Sequence, residues 1–167
     1  SVVTPEGREF LQSPEPVLIA KASVVSLIQR RTYLDYVGVK IYDDDGNVAG
    51  ELRIVGLFTS AAYTRSVLNL PVLRLKARKV IAELGFDPQT HSGAALLNVL
   101  ETYPRDELYQ VETEQLAKFA DAIMQLNERP RVRVLPRVDP FDRFVSILVY
   151  VPRDRFTTQT REAIEAF

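Results

Sequence analysis

The 167-residue chain is 46% apolar and 26% charged, with a formal net charge of −1. That is enough apolar content for one core, and too even a balance for a disordered acidic tail or a strongly basic nucleic-acid module. The chain has no cysteine, which excludes disulfide frameworks, thiolate metal sites and cysteine nucleophiles and agrees with a reducing compartment, so a cytoplasmic protein is expected. No stretch approaches the roughly 18 consecutive apolar residues of a membrane helix, and no basic segment followed by an apolar core opens the sequence, so neither insertion nor export is expected.

Residues 1–16 hold Pro5, Pro14 and Pro16 with little periodicity, which predicts an extended lead-in. From Val17 to Ser26 the sequence is apolar and β-branched and reads as a strand that could continue toward Arg31. Between Asp35 and Phe58, two β-rich stretches flank Asp43-Asp44-Asp45-Gly46-Asn47, a group of turn formers, and the pattern predicts a hairpin. Val37, Val39 and Ile41 share one face with Tyr36, Lys40 and Tyr42 opposite. On the second strand Leu52, Ile54 and Phe58 oppose Glu51 and Arg53, and one face is expected to enter the core.

Pro71 suits a first helical turn, and Leu73, Ala77, Val80, Ile81 and Leu84 repeat at helical spacing until Gly85 offers a stop. A second helix is expected after Ser92, burying Leu96, Leu97, Val99 and Leu100 and ending at Tyr103 before Pro104. A third is expected from Thr113, with Leu116, Phe119, Ala120, Ile123 and Leu126 on one stripe. After Pro130 the period returns to two. Val132, Val134 and Val138 alternate with Arg131, Arg133 and Arg137, and Phe144–Val151 is apolar on both faces like a central strand, the two joined through Asp139-Pro140-Phe141-Asp142 as a second hairpin. A last helix runs from Thr157 to Phe167 with no Gly or Pro stop, and with Ser1 in place of Met it gives the expectation of a fragment whose last helix is cut. The order of elements predicts an α+β fold in which an antiparallel sheet carries its helices mainly on one face, with residues 17–167 as a single domain.

No glycines are spaced as a dinucleotide or phosphate loop. His91 stands alone and reads as a polar residue near a helix start. Asp43, Asp45 and Asn47 match the first spacings of a calcium loop, but Val48 and Ile54 occupy the positions of its glycine and bidentate glutamate, so a solvated turn is expected. Residues 129–167 carry eight arginines against five acids, a local surplus of +3. Arg131, Arg133 and Arg137 on one strand face are candidates to hold a carboxylate or phosphate; the competing reading pairs them with acids such as Glu112, Glu114 and Asp121. Asp106 and Glu107 are adjacent carboxylates, but neighbours on a helix do not face each other, and a helix-start role is preferred to acid–base chemistry.

Four stretches together resemble one family: Gly56–Tyr63, Tyr103–Gln110, Glu128–Arg131 and Leu148–Arg153. In that order they are similar to the N-terminal half of the large bacterial NAD-specific glutamate dehydrogenases. The resemblance implies a parent that oxidatively deaminates L-glutamate to 2-oxoglutarate and ammonia with NAD, in domains further along the chain. It also implies a non-catalytic regulatory or assembly segment of ACT- or PAS-like character here. No catalytic, cofactor-binding or metal-binding residue carries over, and no cofactor is expected in this segment. Expected partners are the remainder of the parent chain, further copies and an amino-acid effector, with neither nucleic acid nor membrane. The alternatives are a stand-alone amino-acid-binding module and an autonomous acid–base enzyme.

Overall fold

A computed structural model describes residues 5–27, 31–139 and 143–166. The fold is α+β with antiparallel sheets, as expected, but the chain divides into two compact units, residues 1–65 and 66–167, and the strands form two separate sheets rather than one.

In the first unit, helix α1 (Pro5–Gln12) precedes strands β1 (Val17–Val25), β2 (Tyr33–Tyr42) and β3 (Val48–Gly56), and a short helix α2 (Ser60–Thr64) follows. The expected extended lead-in is thus corrected to a helix. Its prolines bracket the helix instead of breaking it: Pro5 opens the first turn, where no amide donor is needed, while Pro14 and Pro16 stand beyond its end. Ser13 closes it through bonds from its hydroxyl and amide to the Phe10 carbonyl at 2.7 and 3.1 Å. Strands β1, β2 and β3 lie in that order, all antiparallel. The continuation of β1 toward Arg31 crosses residues 28–30, outside the described residues. The β2–β3 turn forms as expected. Asp43 Oδ1 accepts from the amides of Asp45 and Asn47 at 3.1 and 2.8 Å, and Gly46 takes φ 82°.

The face of the hairpin that packs is the one carrying Tyr36 and Lys40. Helix α1 lies on the side of Tyr36 and Lys40, where Phe10 is buried and the Lys40 ammonium sits 5.0 Å from its ring centroid while donating to the Ser13 carbonyl. Tyr36 donates to Glu51 on the neighbouring strand, and Glu51 also takes the Arg53 guanidinium at 2.8 Å. Long polar side chains carry apolar stems, so a face that reads as wet can pack once its tips are paired. The aliphatic face with Ile41, Leu52 and Ile54 stays open, each at least half exposed.

The second unit holds the main core. A 3-10 turn (Val67–Asn69) leads into α3 (Pro71–Leu84), α4 (His91–Thr102), α5 (Arg105–Gln110) and α6 (Thr113–Glu128), followed by β4 (Arg133–Val138), β5 (Val145–Tyr150), a 3-10 turn (Arg153–Arg155) and α7 (Thr158–Glu165). Helix α3 begins with Pro71 and stops at Gly85, whose φ of 67° is the left-handed cap conformation. The start of α4 is set by Thr90 rather than Ser92: its hydroxyl accepts from the Gly93 amide at 3.1 Å and donates to the Asp87 carbonyl at 2.7 Å. Helix α6 packs on both α3 and α4. Val67, Leu73, Val80, Leu96, Leu100 and Leu116 are fully buried there, and Leu135 of β4 joins them.

Strands β4 and β5 pair in antiparallel register from Arg133 opposite Tyr150 to Val138 opposite Val145; their connection, 140–142, lies outside the described residues. Leu135 and Arg137 turn inward, while Val134, Pro136, Val138, Val145, Ile147 and Val149 share the other face, on which Val134, Val138, Val145 and Ile147 are exposed. Leu135 lies on the arginine side of β4, and burying it among the helices carries Arg137 inward with it.

Candidate functional site

The charged cluster of the second unit is assembled by α5 and the β4–β5 hairpin. Pro104, extended at φ −53° and ψ 123°, stands immediately before α5 and turns the chain at the end of α4, and Asp106 and Glu107 fall in the first turn, where the helix dipole favours acids. From that turn Glu107 meets Arg137 of β4 in a two-pronged ion pair, Nε to Oε2 at 2.6 Å and Nη2 to Oε1 at 2.9 Å. Both side chains are withdrawn from solvent, with Arg137 only 4% and Glu107 14% exposed. Arg137 Nη1 is buried with no hydrogen-bond partner among the described residues.

The Phe144 ring lies 6.0 Å from the Arg137 guanidinium and 5.9 Å from that of Arg143. Arg143 in turn grips Asp139, which is fully buried, at 2.8 and 3.2 Å. Tyr103, at the end of α4, and Tyr150 of β5 flank the cluster. Burial pushes the Tyr103 hydroxyl well above the usual tyrosine range, the Tyr150 and Glu107 charges add to that, and Arg137 opposes it; burial also raises Tyr150. Both tyrosines therefore stay neutral at physiological pH.

Two further polar nodes fasten the helices. Lys76 of α3 donates to the carbonyls of Leu108, Tyr109 and Val111 at 2.9, 3.0 and 2.7 Å, placing a cation on the C-terminal end of α5. Glu101 of α4 accepts from the Ser66 hydroxyl at 2.5 Å, the Val67 amide at 3.1 Å and Arg105 at 2.9 Å. Burial works to raise the Glu101 carboxyl, but these bonds and the Arg105 charge outweigh it and hold the group below the usual glutamate range.

Of the three arginines singled out from the sequence, Arg137 is committed to Glu107, Arg133 is exposed on β4, and Arg131 lies ahead of the strand and is exposed. Arg133 and Arg137 share a face but stand about 13 Å apart along the strand at ~3.3 Å per residue, so they do not converge on one small anion. The partner of Arg137 is an acid that the sequence reading did not pair with it; the signal was the Pro104-Arg105-Asp106-Glu107 helix start, too short to show periodicity. His91 is the first, exposed residue of α4, and Asp43–Asp45 form the solvated turn already described. Among the described residues no group of three or more His, Cys, Asp or Glu is placed to hold a metal ion. An open apolar hollow of about 590 Å³ lies beside the end of α3 and the start of α4, lined chiefly by Leu68, Ile81, Phe86, Pro88 and Leu97.

Comparison with known proteins gives this arrangement a family. Residues 70–129, which span α3 to α6, match the model described as glutamate dehydrogenase, helical motif 1, and residues 133–167, from β4 onward, match that described as glutamate dehydrogenase, ACT2 domain. The chain belongs to the NAD-specific glutamate dehydrogenase family. It is 43% identical over 160 residues to the NAD-specific glutamate dehydrogenase of Halomonas elongata, and 44% over 156 residues to that of Pseudomonas aeruginosa. It is 37% identical over 149 residues to that of Mycobacterium tuberculosis. These matches take in 96, 93 and 89% of this chain but only 10, 10 and 9% of the relatives, so the chain spans about a tenth of their length. The boundary between the two family models, at residues 129–133, coincides with the change from α6 to β4, so the helical motif and the ACT2 segment of this family are separate structural elements here. Among the described residues no helix is long and apolar enough to cross a membrane.

Proposed function

We propose that this segment serves regulation and subunit assembly in an NAD-dependent glutamate dehydrogenase, and takes no part in the chemistry itself. The parent reaction in this reading is oxidative deamination of L-glutamate to 2-oxoglutarate and ammonia, with NAD bound by domains elsewhere in the polypeptide. The observation that carries the reading is how the buried charges are used. Arg137 with Glu107, Arg143 with Asp139, and Glu101 with Arg105 and Ser66 hold helices and strands to one another, while long aliphatic sheet faces are offered outward. Paired charges fix geometry, and open apolar faces provide docking area. The match to an ACT2 model over β4, β5 and α7 supports the same reading. It extends to a cytoplasmic homo-oligomer whose response to an amino-acid effector passes through this region, with Arg131 and Arg133 as the cations still free to meet a carboxylate.

The test uses the full-length parent. Ile147→Glu places a charge in the exposed apolar face of the β4–β5 sheet without touching the core. The expected result is a smaller assembly by sedimentation, or an altered response to amino acids, with turnover per subunit retained at saturating substrate. Loss of turnover with assembly and effector response both intact would overturn the reading.

A further inference from the structure

The sheet of the first unit ends at β3, whose outer edge pairs with no other strand among the described residues. Edge strands are commonly guarded by proline, lysine or a break in register. Strand β1, at the opposite edge, has Lys21 and a register shift between Lys21 and Val25. Strand β3 holds neither proline nor lysine, and its register shift with β2 lies at Ala49, beside the turn, so Gly50–Gly56 is regular. Leu52, Ile54 and Val55 are each more than half exposed on it. The main-chain donors and acceptors of such an edge fit another extended strand.

The order of residues along β3 selects that strand. In an antiparallel pair, directly opposite residues point to the same side, and a two-fold axis between two copies of a strand leaves the sides unchanged. The axis must therefore pass at a residue of β3 rather than between two. Centred on Glu51 or on Arg53, it sets that charge against its own copy, and like charges directly opposite destabilise a sheet. Centred on Gly50 or Ile54, it sets one charge against Ala49 or Val55 and the other beyond the end of the strand. Centred on Leu52, it sets Glu51 of each copy against Arg53 of the other, Leu52 against Leu52, and Gly50 against Ile54. Both charges are then met, and the aliphatic side chains of the two copies join on one face. Glu51 already takes Tyr36 at one carboxylate oxygen and Arg53 at the other, and each oxygen accepts a second donor, so the guanidinium of the other copy adds without displacing either.

We propose that β3 joins two copies of this chain edge to edge about a two-fold axis at Leu52, making one continuous antiparallel sheet from two three-stranded ones. The inference rests on the assembly part of the proposed function and names its surface. Gly50–Ile54 supplies about four to six main-chain hydrogen bonds, a small contact that acts together with others in the parent. The test uses the full-length parent carrying Leu52→Cys, a change at a position 53% exposed, and a short bifunctional maleimide. The expected product has the mass of two chains, with residue 52 joined to residue 52. It should form at least ~10-fold faster than from Asp44→Cys, because the two turns lie at opposite ends of the paired strands. Equal rates, a product of single-chain mass, or residue 52 joined to any other part of the parent overturns the proposal. A parent that sediments as an oligomer yet gives no such product also overturns it and leaves the assembly reading standing, whereas a parent that sediments as a monomer overturns both.

Discussion

Replacing Arg137 by Met removes one partner of a buried, two-pronged ion pair and leaves the Glu107 carboxylate, 14% exposed, facing an apolar side chain. Breaking such a pair from one side typically costs 3–5 kcal/mol, because the survivor keeps its desolvation penalty and loses its compensation. Two features place this case at the lower end, about 3 kcal/mol: Glu107 retains some contact with water, and Arg137 Nη1 is already buried without a partner, so the intact pair is not fully compensated. Glu107→Leu alone should cost a similar amount by stranding the guanidinium. The double variant Arg137→Met with Glu107→Leu removes both charges and should lie within about 1 kcal/mol of the unaltered chain, recovering at least ~2 kcal/mol relative to either single change. Urea unfolding followed by far-ultraviolet circular dichroism reads this directly. With a slope of about 1.5 kcal/mol/M, each single variant should lower the midpoint by roughly 2 M and the double variant by well under 1 M. Single losses under ~1 kcal/mol that simply add in the double variant would refute the view that this pair fastens β4 to α5.

Three further outcomes follow from the same packing. Lys76→Met leaves three carbonyls at the end of α5 without their cation and should cost about 1–3 kcal/mol, with faster amide exchange confined to residues 105–111; uniform exchange would contradict the assignment. Glu101 is held below its unfolded value, so its contribution is fully present above the ordinary glutamate range (~4.3) and is lost as pH falls through the folded value. Glu101→Gln should therefore destabilise the chain near neutral pH and flatten its acid-unfolding profile, whereas an acid limb of unchanged steepness would show that this carboxylate is not the sensor. Gly93→Ala would drive a methyl group into the Asp87 carbonyl, a backbone atom that has no rotamer by which to yield, and should cost about 2 kcal/mol or more in thermal unfolding. A melting temperature within a degree of the unaltered chain would show that the Asp87–Thr90 turn gives way freely.

The sequence exposed those parts of the fold whose signals are local. Pro71 and Gly85 bracket α3, the Asp43–Asn47 turn closes the first hairpin, and the Leu116–Ile123 stripe of α6 is buried as its period requires. What it hid depends on partners distant along the chain. Helix α5 has six residues, too few for a period to show, and its importance comes from Arg137, thirty positions away. Helix α1 was masked by prolines that mark its start and lie beyond its end.

Which sheet face packs was left open by the sequence for a different reason. Alternation shows which residues share a face but not which face the neighbouring element covers, and in both sheets the aliphatic face is the open one. The candidate anion site shows the same limit: the three arginines were visible, and the acid that claims Arg137 was visible too, but their proximity is made by the fold.

If the chemistry lies elsewhere in the polypeptide, as proposed, these 167 residues alone neither hold NAD nor turn over glutamate. The most direct measurement is calorimetric titration of the purified 167-residue chain with NAD, with and without glutamate, alongside a spectrophotometric watch for NADH. No saturable heat from NAD and no NADH are expected. Saturable binding of NAD, or any turnover of glutamate by these residues alone, would contradict it.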